Sequence, residues 1–127
     1  MPATVLIVDD NLLNLELACE VLERAGYRVL TARDGEAGLE AALTTLPDLI
    51  LLDIGLPGMD GHAVARLLKA DERTRRIPAV ALTAFAMASD QDKALAAGFD
   101  GYISKPIDVR TFPVTVGRFL EEARRAP

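Results

Sequence analysis

Leu49-Ile50-Leu51-Leu52-Asp53 is an apolar run that ends on a carboxylate. Three other stretches repeat that form. Val5-Leu6-Ile7-Val8 ends at Asp9-Asp10, Val80-Ala81-Leu82 at Thr83, and Tyr102-Ile103-Ser104 at Lys105-Pro106. Short runs rich in Val, Ile and Leu read as strands buried on both faces of a parallel sheet. In such a sheet the residues that do chemistry gather outside the carboxyl ends of the strands. Three carboxylates, a hydroxyl and an ammonium are therefore expected at one edge. Clustered carboxylates repel each other unless a cation joins them, so this edge points to a divalent metal.

Between these runs lie helical patterns, and strand and helix alternate along the whole chain. The first strand is expected over Thr4 to Val8. A helix follows from near Asn11 to Ala25, stopped by Gly26. The second strand covers Arg28 to Ala32, and Asp34 can cap a second helix that ends before Pro47. The third strand covers Asp48 to Asp53. Leu56-Pro57-Gly58-Met59-Asp60-Gly61 has the Pro and Gly content of a turn. The third helix covers about His62 to Ala70. Pro78 opens the fourth strand, where a missing donor is tolerated. The fourth helix runs from about Ala86 to Ala97 and stops at Gly98, and Gly101 to Ser104 form the fifth strand. Pro113 would cost about 3 kcal/mol inside a helix, so the last helix is placed from Thr111 or Phe112 onward. Thr111 is then a candidate cap and Pro113 lies in the first turn. This alternation predicts a three-layer α/β fold with right-handed crossovers. More narrowly, it is a flavodoxin-like (βα)5 doubly wound parallel sheet, strand order 2-1-3-4-5, in one domain spanning 1–127.

The 127 residues are half hydrophobic and a quarter charged, ordinary values for a globular domain. A net charge of −5 argues against nucleic acid as partner, because phosphate binding needs clustered Lys and Arg. The one basic run, Arg73 to Arg76, adjoins Asp71 and Glu72 and reads as a solvated loop. Cys19 is the only cysteine, which excludes a disulfide framework and a zinc cluster. His62 has no metal-spaced partner and reads as a surface residue. No window reaches transmembrane length and no signal segment opens the chain, so no membrane is expected and the cytoplasm follows by default.

Taken singly, Asp9-Asp10 is an ordinary helix cap, Asp53 a loop residue, Thr83 a strand end and Lys105-Pro106 a turn. In this order on successive strand ends they resemble the response-regulator receiver domain. The resemblance rests on Val8-Asp9-Asp10-Asn11, Leu51-Leu52-Asp53, Leu56-Pro57-Gly58-Met59-Asp60-Gly61, Leu82-Thr83-Ala84 and Ser104-Lys105-Pro106. It covers essentially the whole chain. It implies a single-domain phospho-acceptor of two-component signalling rather than an enzyme, one that assists its own Mg-dependent phosphorylation and dephosphorylation. Asp53 would take a phosphoryl group from a histidine kinase or a histidine phosphotransfer protein. Asp9 or Asp10, with Asp53 and the Gly55 carbonyl, would hold Mg²⁺ (or Mn²⁺), which needs only a few carboxylates. Lys105 would pair with Asp53 and then with the phosphoryl group as a point charge. Thr83 would bond a phosphoryl oxygen and move with Tyr102 as a switch pair, whose plainer reading is a half-buried strand aromatic. The Lys105–Pro106 bond would be cis. Gly55 and Phe85 depart from the larger or polar residues many receivers carry there, and neither can hold an attacking water by its side chain.

No output domain follows the last helix in this chain, so signalling is expected through docking of a downstream protein on the face of the fourth helix, fifth strand and fifth helix. Two other readings are weaker. A flavin-type cofactor binder needs a phosphate-binding first loop, where Asp9-Asp10 would repel a phosphate. A phosphatase built on Asp53 lacks a substrate-pocket sequence. On the first helix, steps of about 100° put Asn14, Leu17, Ala18, Val21 and Ala25 on one stripe, read as the core face, with Leu22 at its border. Leu12, Leu15 and Cys19 then form an exposed apolar flank. The resemblance to receivers implies that this helix and the loop after Lys105 meet a four-helix phosphotransfer bundle, so Leu12, Leu15 and Cys19, extended by Pro106 and Ile107, are the expected docking patch.

Overall fold

The computed structural model describes residues 2–56, 58–84 and 88–125. Its elements are β1 (Thr4–Val8), α1 (Leu12–Arg24), β2 (Arg28–Ala32), α2 (Gly35–Thr45), β3 (Leu49–Asp53), α3 (Gly61–Ala70), β4 (Ala79–Thr83), α4 (Ala88–Ala96), β5 (Gly101–Ser104) and α5 (Phe112–Arg125). All strands are parallel and their order is β2-β1-β3-β4-β5. This is the doubly wound arrangement expected from the sequence.

Alternation along each strand divides the core in two. Leu6, Val8, Ile50, Leu52 and Ala81 meet Ala42, Val64, Ala65 and Leu68 on one face. Val5, Ile7, Leu49, Leu51, Val80 and Leu82 meet Leu15, Ala18, Leu22, Phe112 and Val116 on the other. Runs with no polar member form strands here because both faces are covered by helices.

Local signals set the helix ends. Asn11, Asp34 and Asp60 accept from backbone N–H groups three residues on and cap α1, α2 and α3. Gly26 and Gly98 take positive φ after α1 and α4. Pro113 is the second residue of α5, as its missing N–H requires. The expected start of the fourth helix at Ala86 lies outside the described residues, as does Pro57 of the turn.

One helix is rotated from its expected phase. Leu15, Ala18 and Leu22 form the buried line of α1, while Leu17 is 37% exposed and Ala25 faces solvent. Leucines at 12, 13, 15, 17 and 22 encircle this helix, so the apolar pattern alone does not single out the face. The sheet selects the line at 15, 18 and 22, whose i, i+3, i+7 spacing lets side chains reach Val5, Ile7 and Leu49 together.

Candidate functional site

The parallel register sets Val8 beside Leu52, Asp53 beside Leu82 and Thr83 beside Ser104. Asp9 therefore stands level with Asp53, with Thr83 one residue and Lys105 two residues beyond them at the same end of the sheet. Asp9, Asp10 and Asp53 each offer a carboxylate oxygen, all within 4.8 Å of one another. Asp9 is only 1% exposed, whereas Asp10 faces solvent and Asp53 lies between. Asp9 Oδ1 accepts from the Asn11 N–H at 2.9 Å, and Asp53 Oδ1 accepts from the Gly55 N–H at 3.1 Å. Lys105 Nζ bridges the two carboxylates, 2.9 Å from Asp9 Oδ2 and 3.2 Å from Asp53 Oδ2. Asp9 Oδ2 is buried and receives no well-angled hydrogen bond; its partner is the ammonium charge alone.

Two glycine-bearing turns make room for this. Gly61 starts α3 directly beneath the end of β3, and a Cβ there would come within 2.6 Å of the Asp53 carbonyl oxygen. At Gly55 a Cβ would stand 3.9 Å from Asp53 Oδ1, in open contact. Thr83 is buried at the end of β4, and its carbonyl accepts from the Lys105 N–H at 2.7 Å. Tyr102 is partly exposed on β5, on the same side of the sheet as Thr83. The Lys105–Pro106 bond is cis. Phe85 lies outside the described residues.

The charges are interdependent. Burial pushes the Asp53 carboxyl above its ordinary value and the Asp9 charge adds to this, against the pull of the Gly55 N–H and of Lys105. At Lys105 burial is the largest single influence and acts downward. Its close pairing with Asp9 and the charge of Asp53 together outweigh this, so the ammonium is held above its ordinary range. Three hard oxygen donors, one of them buried without a hydrogen bond, fit the donor set of Mg²⁺.

The docking patch expected from the sequence is not assembled as one surface. Leu15 is core, only 4% exposed. Leu12 and Cys19 line a groove with Thr31 and Arg33 beside β2, at one edge of the sheet. Pro106 lines a cleft with β5 and α5, toward the other edge. Leu13 and Leu17 are instead the exposed leucines on the far flank of α1, and no sequence signal distinguished them. His62 is half-buried rather than a surface residue, its ring edge against Phe99 at 6.1 Å between centroids.

The family model of the response regulator receiver domain matches residues 5–116. The chain belongs to the response-regulator receiver family. A relative from Brucella anthropi, the polar-differentiation response regulator DivK, is 43% identical over 123 residues, covering 97% of this chain and all of that protein. The chemotaxis protein CheY4 of Vibrio cholerae has the same fold, with a TM-score of 0.89, 28% identity, and coverage of 94% of this chain and 99% of that one. The receiver domain of the sensor histidine kinase PA1611 of Pseudomonas aeruginosa gives a TM-score of 0.88 and 33% identity over 95% of this chain and 99% of its own. That structure holds a magnesium ion coordinated in its active-site cleft. The receiver described here is thus a phosphorylatable response regulator of two-component signalling, a phospho-acceptor rather than an enzyme in the ordinary sense. Receivers bind Mg²⁺ at their acidic pocket and interact with histidine kinases and downstream targets. Among the described residues no helix is long and apolar enough to cross a membrane.

Proposed function

We propose that Asp53 is the phosphoryl acceptor of this receiver, in a single domain spanning 1–127, and that Lys105, Thr83 and the acidic pair Asp9-Asp10 serve it. The observation that carries this reading is the Lys105 bridge, which ties the buried Asp9 to an Asp53 whose Oδ1 is held by the Gly55 N–H. Asp9, Asp10, Asp53 and the Gly55 carbonyl would hold Mg²⁺ (or Mn²⁺), which neutralises charge on phosphoryl oxygens when bound. An Asp53 oxygen attacks phosphorus on the donor imidazole. The O–P bond forms as the N–P bond breaks, and the electron pair stays on the imidazole nitrogen, which takes a proton from solvent. Lys105 then follows the charge onto the phosphoryl group, and Thr83 donates its hydroxyl hydrogen to a phosphoryl oxygen. Tyr102 moves with Thr83, and the face of α4, β5 and α5 carries the change to a downstream protein in the cytoplasm.

The phosphoryl donor, a histidine kinase or a histidine phosphotransfer protein, would dock over the exposed leucines of α1, Leu13 and Leu17, with Pro106 and Ile107 beside the site. Leu15 is excluded from this surface by its burial. The test is incubation with acetyl phosphate and Mg²⁺ followed by mass-spectrometric location of the adduct. A single phosphoryl group on Asp53, absent in Asp53→Asn and abolished by chelator, is expected; an adduct that survives either change refutes the assignment.

A further inference from the structure

Among the described residues β2 is an edge strand, paired with β1 alone. The Arg28 N–H donates to Ala3 O, and Ala32 O accepts from the Asp9 N–H, so the even-numbered residues of β2 turn their backbone toward β1. By strand alternation, Val29 and Thr31 turn theirs to the free edge. Beside that edge lies a groove of about 450 Å³ between β2 and α1. Its floor is Leu12, Leu15 and Cys19, and its walls carry Glu16 and Glu23 from α1, Thr31 from β2 and Arg33 just after it. Glu20 is neutralised by Arg24 at 3.0 Å, while Glu16 and Glu23 have no cation partner among the described residues. The Glu23 charge is felt in the groove, where burial first and then Glu23 push the Cys19 thiol up.

An edge with unpaired backbone next to an apolar groove along a helix is the arrangement that takes up an added strand, whose alternate side chains drop into the groove. Here those side chains meet an apolar floor and two unpaired carboxylates, Glu16 and Glu23, which outnumber the one unpaired cation of the described lining, Arg33. Lys and Arg satisfy both, laying their methylenes on Leu12 and Cys19 and placing their charge at Glu16 and Glu23. We propose that the α1–β2 groove binds an extended basic segment of a partner protein, which adds to the sheet as a sixth strand beside β2. A second copy of this chain is a poor occupant, because antiparallel pairing of two β2 edges would turn the Val29 and Thr31 side chains of the copy, not a Lys or Arg, toward Glu16 and Glu23. This surface is on the opposite flank of α1 from Leu13 and Leu17, so it leaves the proposed phosphotransfer surface free. The inference does not depend on Asp53 chemistry.

Two readouts on the intact protein test it, with a short acetylated and amidated peptide alternating Lys and Val as the probe. Hydrogen exchange followed by NMR reports the Val29 and Thr31 amides, and the reaction of Cys19 with a disulfide reagent reports the groove. Saturating peptide is expected to slow both amides by about tenfold, as a newly formed backbone hydrogen bond does, and to slow Cys19 labelling. The same peptide with Glu for Lys is expected to do neither. Glu16→Lys with Glu23→Lys, both at exposed positions, should remove the effect while leaving labelling by acetyl phosphate unchanged. Unchanged Val29 and Thr31 amides overturn the proposal, and Cys19 protection without them would assign the groove to a helix instead. Equal protection by the Glu peptide overturns the charge argument.

Discussion

The phase of α1 decides which of its leucines hold the fold and which are free to meet a partner, and a pair of truncations reads it directly. Leu15→Ala removes three carbons from a side chain that is 4% exposed and packed toward Ile7, Leu51 and Phe112. At ~0.8 kcal/mol per buried carbon the transfer loss is about 2.4 kcal/mol, and the cavity left behind raises it to about 3–4 kcal/mol. Leu17→Ala removes the same carbons from a side chain that is 37% exposed. Its loss is about 1–1.5 kcal/mol, with no enclosed cavity to add. The difference of about 2 kcal/mol corresponds to roughly 8 °C in melting temperature for a domain of this size. Urea unfolding with a common slope measures it, since an unchanged slope shows that only stability has moved. Leu17→Ala should also label normally with acetyl phosphate yet accept phosphate poorly from a protein donor. If the two variants lose equal stability, or Leu17→Ala loses more, the helix is rotated back toward the Asn14–Leu17–Val21 stripe and the assignment of α1 faces is wrong.

Lys105→Met keeps the side-chain length but leaves the buried Asp9 and nearby Asp53 without their shared cation, and should cost about 2–4 kcal/mol in calorimetry at neutral pH without divalent metal; an unchanged melting temperature would contradict the bridge. Gly55→Asn fits in open space beside Asp53 and supplies a group to orient water, so loss of the phosphoryl group should speed up roughly severalfold when followed by phosphate release. Hydrogen exchange with and without beryllofluoride should differ over α4, β5 and the first turn of α5, and little over α1; a change confined to α1 would refute the switch. The Asp71 carboxyl is lowered to about 2, by the Arg73 guanidinium first and then by the Arg73 N–H. A depressed carboxylate stabilises the fold above its unfolded value and loses that contribution as pH falls from about 4 toward about 2. Carboxyl-carbon NMR should place its midpoint near the lower value, and Arg73→Ala should move it back up.

The strands and the acidic edge were legible in the sequence for one physical reason. A strand covered on both faces admits no polar residue, so the first polar residue after each run marks the sheet edge. Asp9, Asp53 and Thr83 declare themselves that way, whereas Lys105 follows the half-exposed edge strand β5 and is marked by its place after the last run; the parallel register brings all four within two residues of one level. Helix 1 was not legible because its leucines occupy every side, and only the Val5, Ile7 and Leu49 side chains beneath it select Leu15, Ala18 and Leu22. The division of Leu12 and Cys19 from Pro106 depends on which sheet edge each adjoins, a property of strand order rather than of local pattern. The basic run 73–76 is solvated at its arginines, but Thr74 within it is fully buried, its hydroxyl donating to the Leu68 carbonyl at 2.7 Å. A threonine between arginines gives no hint of that.

The helices on the two faces of the sheet are not all anchored alike, and this shapes how a change at Thr83 spreads. Beneath α1 and α5 lie Leu15, Leu22, Phe112 and Val116. Within the described side chains of α4 only Ala94 is buried, with Ala97 and Phe99 following the helix. One alanine methyl is worth about 0.8 kcal/mol of burial, against about 1.5–3 kcal/mol for a Leu or Phe. Over its described side chains α4 is therefore anchored by less buried surface than α1 or α5, and it is the next element after β4 in the chain. Its far end is tied down. Lys69 Nζ donates to Ile77 O at 3.0 Å and to Asp100 Oδ2 at 2.9 Å, and the same Asp100 oxygen accepts from the Ala79 N–H at 2.8 Å. That clamp joins the ends of α3 and α4 to the starts of β4 and β5, on the sheet edge opposite the acidic site. A movement that begins at Thr83 thus reaches a helix whose described side chains anchor it lightly and whose distal end is held, which favours a swing about Gly98 over a sliding of the whole element.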